Sequence, residues 1–116
     1  MFAHAYFSRG FTQKTKKEFD KAIADYTQVL RIEPKNAVAY RSRGYAQETK
    51  KEFDKAIADY TEAIRIDPKF AQAYCRRGYV HHTKKDYAKA IADYTQANHI
   101  DAMYDRAYSR REVTKQ

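Results

Sequence analysis

The sequence predicts an all-α protein made of repeated helical hairpins, and three observations lead to that prediction. Residues 15–27 recur letter for letter at 49–61, and again at 83–95 with three changes, at Asp86, Tyr87 and Ala88. The offset is 34 residues both times, and a repeat of that length indicates one structural unit copied along the chain. Apolar residues inside the repeated stretch follow a helical spacing. Only three Gly and two Pro occur, too few for the many turns of an all-β fold.

Each unit is predicted to hold two helices joined by a short turn. In the first unit we expect the first helix at about residues 3–15 and the second at about 18–32, with the turn at Lys16 and Lys17. The second helix has apolar residues along one face, at i, i+3, i+4, i+7 and i+11, namely Phe19, Ala22, Ile23, Tyr26 and Leu30. The same pattern in the next two units predicts two further hairpins.

Prolines mark the ends of the first two units. Pro34 and Pro68 cannot extend the helix that precedes each of them, so the repeats are expected at about 3–36, 37–70 and 71–104. The third unit has Ala102 at the corresponding place. We predict that the chain still turns there and that residues 103–115 form a C-terminal capping helix. The alternative is one continuous helix from about Asp86, which could not fold back on its own array and would pair with another molecule.

The spacing of aromatic and small residues resembles the tetratricopeptide repeat, and the match covers nearly the whole chain. The family's order is an aromatic, then Gly, Ala, a second aromatic and Pro. The three copies here are Tyr6, Gly10, Ala22, Tyr26 and Pro34, then Tyr40, Gly44, Ala56, Tyr60 and Pro68, then Tyr74, Gly78, Ala90 and Tyr94. The resemblance implies a right-handed α-solenoid of three hairpins and a single repeat domain, with first helices lining a concave groove.

Two departures from the family pattern recur in every unit. Lysine stands where the family usually has Gly in the hairpin turn, at Lys17, Lys51 and Lys85. If that turn needs positive φ, each lysine costs about 1 kcal/mol relative to glycine. Arginine stands just before each Gly, at positions 9, 43 and 77, and an aspartate follows sixteen residues later on the facing helix. We predict an Arg–Asp ion pair across each hairpin, with a structural role.

The groove is where the resemblance places ligand contacts. An aromatic ladder one residue past each Gly consists of Phe11, Tyr45 and Tyr79, and a basic strip consists of Arg41, Arg76, Arg106 and Arg110. With Phe7 and His82 these are the predicted peptide-binding residues, and they suit a partner segment with acidic and apolar side chains. The alternatives are ordinary packing for the rings and a solvated helix face for the arginines.

Some members of the family hold an acidic C-terminal peptide through a clamp of Lys, Asn, Asn, Lys and Arg. In the first three helix pairs those places hold Phe7, Phe11, Ser42, Gln72 and Arg76, of which only the last fits. One repeat later they hold Arg41, Tyr45, Arg76, Arg106 and Arg110, which is basic but contains no Asn. A standard clamp is therefore not expected. A groove that binds carboxylates more loosely is kept as an alternative.

Composition, charge and the absence of known motifs limit the classes of function that the chain could have. The net charge is +8, which favours acidic partners, and no motif for catalysis, phosphate binding or metal ligation is present, so we expect no enzyme activity, cofactor or metal. A single cysteine and the absence of a signal peptide or a membrane span indicate a cytoplasmic protein. The predicted function is protein–protein interaction as an adaptor or scaffold module. The alternatives are self-assembly through array ends or an exchanged C-terminal helix, and nucleic-acid binding through the lysine pairs at the turns.

Overall fold

The computed structural model describes the backbone of residues 18–115 and the side chains of residues 18–103. Within that part the chain forms five α-helices in sequence, and they are α1 (Phe19–Ile32), α2 (Ala37–Thr49), α3 (Phe53–Ile66), α4 (Ala71–Thr83) and α5 (Tyr87–Lys115). The all-α prediction is confirmed. The helix predicted at residues 3–15 lies outside the described residues.

Consecutive helices pack as hairpins, α2 against α3 and α4 against α5. A glycine on the first helix of each hairpin faces a tyrosine ring on the second. A Cβ atom added to Gly44 would lie 2.9 Å from the Cε1 atom of Tyr60, and one added to Gly78 would lie 3.0 Å from Cε1 of Tyr94. The missing side chain therefore lets each ring lie directly against the facing backbone.

Neighbouring hairpins pack together through small clusters of buried apolar residues. Between α1 and α2, Val29 and Leu30 are buried with Ala39. Between α3 and α4, Val80 packs with Ala56 and Tyr60, and the partly buried Phe53 and Ile57 lie against this cluster. Each second helix is thus covered by the first helix of the next hairpin, as expected for a stacked repeat array in which each unit buries its neighbour.

The helices begin and end where proline and capping residues in the sequence predict. Helices α1 and α3 end at Ile32 and Ile66, two residues before Pro34 and Pro68. At the start of α2 the side chain of Asn36 accepts a hydrogen bond of 2.9 Å from the backbone N–H of Ala39, which satisfies one of the free amides of the first turn.

The break predicted near Ala102 is absent, and this is a correction. Helix α5 passes through that position and extends for 29 residues, so residues 103–115 continue α5 instead of forming a separate capping helix. The physical reason is the residue itself, because alanine has the highest helix propensity and proline at the same place would have ended the helix. The structure agrees with the alternative of one long helix.

The lysines in the hairpin turns have the strained backbone that the family's glycine would relieve. Lys51 has φ of 65° and Lys85 has φ of 66°, and they are the non-glycine residues with positive φ among those described. A Cβ atom is disfavoured in this left-handed region. The condition of positive φ, under which each lysine is costly relative to glycine, therefore holds at both turns.

Replacing Lys51 by glycine is expected to raise the free energy of unfolding by about 1 kcal/mol, because glycine adopts positive φ without steric cost. Urea unfolding followed by circular dichroism measures the change. The adjacent Lys50→Gly variant is the control, since Lys50 has φ of −78° and gains nothing from glycine. Equal effects from both substitutions would contradict the assignment of strain to Lys51.

Candidate peptide-binding groove

An arginine on the first helix of each described hairpin holds three helices together. Arg43 donates to both carboxylate oxygens of Asp59, from Nε at 2.7 Å and from Nη2 at 2.8 Å, and its Nη1 atom donates to the hydroxyl of Thr27 at 3.2 Å. Arg77 repeats this geometry with Asp93 and Thr61. The hydrogen bonds to Asp59 raise the pKa of Arg43 above its usual value.

The predicted Arg–Asp pairs are therefore confirmed for α2–α3 and α4–α5, while Arg9 lies outside the described residues. Each arginine is engaged on both sides, by the aspartate of its own hairpin and by the threonine of the preceding one. These two guanidinium groups hold neighbouring hairpins together, and their donors are already used by side chains of the same chain.

A second cluster, formed by Glu48, Tyr60 and Arg76, connects the second and third repeats. Glu48 is 7% exposed and accepts a hydrogen bond of 2.7 Å from the hydroxyl of Tyr60. Arg76 on α4 donates to the same carboxylate through Nε at 3.3 Å and also through Nη2. Burial and the neighbouring carboxylate both raise the pKa of Tyr60 far above its usual value. The charge of Arg76 is thus balanced inside the protein.

Glu48 was not among the predicted binding residues, although the sequence contained a signal for it. The corresponding positions in the other two units hold Lys14 and His82, so the acidic residue occurs once in three copies. A charge that appears in a single repeat has no role in the repeated scaffold. Such a residue is a candidate for a contact specific to one pair of repeats.

Two tyrosines of the predicted ladder enclose the Arg76 guanidinium. Its central carbon lies 5.0 Å from the ring centroid of Tyr45 and 4.9 Å from that of Tyr79. Both distances allow cation–π attraction, which is strongest when the cation is partly removed from water. The structure therefore brings Tyr45, Arg76 and Tyr79 together, with one cation in reach of two rings.

Arg41 differs from Arg76 in having an unused donor. Its guanidinium lies over the ring of Phe70, 5.6 Å from the centroid. Its Nε atom is buried and has no hydrogen-bond partner among the described residues. Arg41, Ser42, Tyr45 and Arg76 line a pocket of about 260 Å³, which we call the α2–α4 pocket. A buried cationic donor without a partner is suited to an anionic acceptor, which a ligand carboxylate would provide.

The remaining predicted residues do not line the α2–α4 pocket. His82 on α4 packs edge-on against Tyr87 of α5, with ring centroids 5.3 Å apart, so the ring contact described for it lies inside the third hairpin. Phe7 and Phe11 lie outside the described residues. Arg106 and Arg110 belong to the helical backbone of α5, and their side chains lie outside the described part.

Residues 18–103 offer little support for a metal site or a membrane-spanning helix. No group of three or more His, Cys, Asp and Glu side chains there is arranged to hold a metal ion. His81 lies 3.9 Å from the Asp93 carboxylate, and burial lowers the pKa of its imidazole. Over the described residues, no helix combines the length and apolarity needed to cross a membrane.

Family models match three stretches of the chain. Residues 3–36 and 71–109 match models described as tetratricopeptide repeat, and residues 49–85 match one described as TPR repeat. No curated protein matches the chain. The three stretches together include most of the sequence, and the second and third overlap at residues 71–85.

Solved structures give the same result. The chain is similar to a structure described as the TPR2B-domain:pHsp70-complex of yeast Sti1, with 31% identity, a TM-score of 0.88, and coverage of 99% of this chain and 92% of that one. It is similar at 23% identity to the first TPR of Spaghetti (RPAP3) bound to the HSP90 peptide SRMEEVD, with a TM-score of 0.84 and coverage of 98% and 91%.

A third similar structure is described as MamA, with 26% identity and a TM-score of 0.87. The alignment covers 90% of this chain and 61% of that one, so the chain spans less than two thirds of the length of that MamA structure.

Proposed function

Because the chain belongs to the tetratricopeptide repeat family, we propose that it is a non-catalytic interaction module that binds an acidic segment of a partner protein in the groove containing the α2–α4 pocket. The observation that carries this proposal is Arg41, whose buried Nε atom has no partner in the described structure and whose side chain lines a pocket of about 260 Å³. A carboxylate of the partner would accept from the guanidinium of Arg41, which would turn its unused donor toward the ligand.

The two arginines of the pocket have different roles in this proposal. Arg76 is held by Glu48 and enclosed by Tyr45 and Tyr79, so it supplies shape and a polarised surface more than free charge. Arg41 has no carboxylate partner among residues 18–103 and supplies the net positive charge. A ligand carboxylate placed between them would gain charge-assisted hydrogen bonds without having to displace an existing one.

The rings provide the apolar part of the binding surface. Tyr79 is 48% exposed although it stacks on Arg76, so one face of its ring is open to a ligand. Tyrosine combines a large apolar area with a hydroxyl that stays hydrated, which makes it frequent where proteins bind peptides. The partner segment would thus place an apolar side chain next to its acidic one.

Two of the similar structures support an acidic ligand. One is described as a complex with pHsp70, and the other as bound to the peptide SRMEEVD, which contains two glutamates and an aspartate. The Asn residues of the family's clamp are absent here, so this chain would recognise an acidic segment through Arg41 and the stacked rings instead.

The α2–α4 pocket should be tested with a display library of random peptides. We expect the selected peptides to be enriched in Asp and Glu, and the Arg41→Gln variant to bind a selected peptide at least about tenfold more weakly, because a charge-assisted hydrogen bond is lost. Binding is measured by fluorescence polarisation on the labelled peptide.

The matched control for this test is Arg65→Gln. Arg65 is exposed on α3 and pairs with Glu62 at 2.9 Å, so the substitution removes the same charge away from the pocket. Peptide binding by Arg65→Gln should equal that of the wild type. Selected peptides without acidic residues, or equal losses in the two variants, would show that the pocket does not bind a carboxylate.

The nucleic-acid alternative receives less support from the structure. Among the turn lysines, Lys50 contacts Asp20 and Glu52, and Lys84 contacts Asp54. These exposed pairs are weak and screened by salt, but they place acidic groups beside the basic ones. The acidic groups beside Lys50 and Lys84 reduce the positive charge along this edge of residues 18–103, which makes it less suited to phosphates.

A further inference from the structure

The last hairpin exposes a helix face that the other hairpins cover. On α3, Phe53 and Ile57 are partly buried where α4 packs across the helix. The corresponding residues of α5 are Tyr87 and Ile91, which are 53% and 65% exposed. Within the described chain no further first helix lies over this face. The repeat therefore indicates what kind of element should cover it, namely another first helix.

The sequence contains such an element in residues 103–115. Ala107, Tyr108 and Arg111 continue the series of Ala39, Tyr40 and Arg43 and of Ala73, Tyr74 and Arg77, with the same offset of 34 residues. In both described copies the alanine is fully buried. In both, the arginine donates to a threonine of the preceding second helix at 3.2 Å. The threonine series continues to Thr95 on α5, so the complementary position is also present.

The covering element and the exposed face nevertheless belong to one continuous helix. Helix α5 has 29 residues, and at a rise of about 1.5 Å per residue it is roughly 43 Å long. Residues 103–115 extend along the same axis as residues 87–100 and cannot lie beside them. The two surfaces can meet only between two molecules.

We propose that two copies of this chain exchange residues 103–115, so that this segment of each copy packs across the Tyr87 and Ile91 face of the other. Consecutive helices of the array are antiparallel, and an antiparallel pair of α5 helices related by a two-fold axis makes both contacts at once. Such an interface is closed and isologous, so it gives a dimer and no longer filament.

The register of the repeat fixes where the two helices cross. Arg43 contacts Thr27 and Arg77 contacts Thr61, each sixteen residues earlier. Applied to the exchanged pair, Arg111 of one copy meets Thr95 of the other. The midpoint of these two positions is residue 103, so the two-fold axis passes next to Ala102. The missing proline is thus at the crossing point, where a straight helix is required.

The oligomeric state tests the exchange directly. Light scattering on the 116-residue chain should give twice the monomer mass of 13.7 kDa. Ala102→Pro restores the break present at Pro34 and Pro68, lets residues 103–115 turn back, and should give a monomer. Ile91→Lys should also give a monomer, and Ile32→Lys, which changes an isoleucine 49% exposed on α1, should remain dimeric. Circular dichroism confirms that each variant is folded.

Cross-linking identifies which segment covers the face. In a Cys75→Ser background, the double variant Thr95→Cys with Arg111→Cys, treated with a short bis-maleimide, should yield a covalent dimer. A wild-type chain that stays monomeric at its highest attainable concentration overturns the proposal, as does a cross-link confined to one chain. A dimer that persists in Ala102→Pro also overturns it, because end-to-end stacking does not need the continuous helix.

Discussion

Removing the carboxylate of Asp59 is expected to lower the free energy of unfolding by about 3 kcal/mol, because it leaves a partly buried charge without its partner. The Asp59→Ala variant leaves the guanidinium of Arg43, whose side chain is only 21% exposed, without the bidentate partner that now accepts at 2.7 and 2.8 Å. Arg43 also holds Thr27 of the preceding hairpin, so the loss reaches the packing of α1 on α2. Urea unfolding monitored by circular dichroism measures it.

Two controls separate burial of the pair from charge alone. Glu62→Ala removes an equally ionic but exposed partner, that of Arg65, and should leave the unfolding midpoint nearly unchanged. The double variant Arg43→Met with Asp59→Leu should recover most of the loss, since apolar side chains of similar volume do not leave a buried charge unpaired. If Asp59→Ala and Glu62→Ala have equal effects, the pair does not hold the hairpin together.

The Arg–Asp pairs could be predicted from the sequence because both partners recur with the repeat. Two opposite charges that keep a spacing of sixteen residues in each unit must occupy the same relative positions in each hairpin. The arginine lies on the first helix and the aspartate on the second, where the two helices face each other. The same regularity predicted the turns at Lys51 and Lys85. The repeated charge pairs and turn residues belong to the scaffold, and their structural role follows from the regular spacing.

Contacts that occur once could not be derived in this way. Glu48 and Arg76 are 28 residues apart, on first helices of different hairpins, and only the rotation between hairpins brings them together. From the sequence, Arg41 and Arg76 were equivalent members of a basic strip. The structure distinguishes them, because Arg76 has a carboxylate partner and Arg41 has an unused buried donor. The binding surface therefore depends on geometry that the repeat pattern does not contain.

The course of the chain at Ala102 was open for a different reason. A missing proline removes a stop signal but does not by itself decide whether a helix continues or turns. Alanine and the flanking residues favour helix locally, whereas the fourth copy of the first-helix sequence favours a return to the array. The structure follows the local preference, which leaves the tertiary preference to be satisfied between molecules.

Truncating Tyr60 is the second substitution with a large expected effect. Tyr60 is fully buried, its ring lies against Gly44, and its hydroxyl donates to Glu48 at 2.7 Å. Tyr60→Ala should lower the free energy of unfolding by about 3–5 kcal/mol, because it opens a cavity in the second hairpin that a glycine on the facing helix cannot fill. Thermal and urea unfolding should both show the loss.

The hydroxyl can be separated from the ring with Tyr60→Phe. This variant keeps the packing and removes one of the hydrogen bonds to a buried carboxylate, so a loss of about 1–2 kcal/mol is expected. The corresponding Tyr94→Phe change in the third hairpin is the control, since His82 stands there in place of Glu48 and no buried carboxylate is left short of a donor. Its cost should be clearly smaller. Equal costs at the two positions would mean that the hydrogen bond from Tyr60 to Glu48 adds no stability of its own, and that Arg76 alone is enough to hold Glu48 inside the protein.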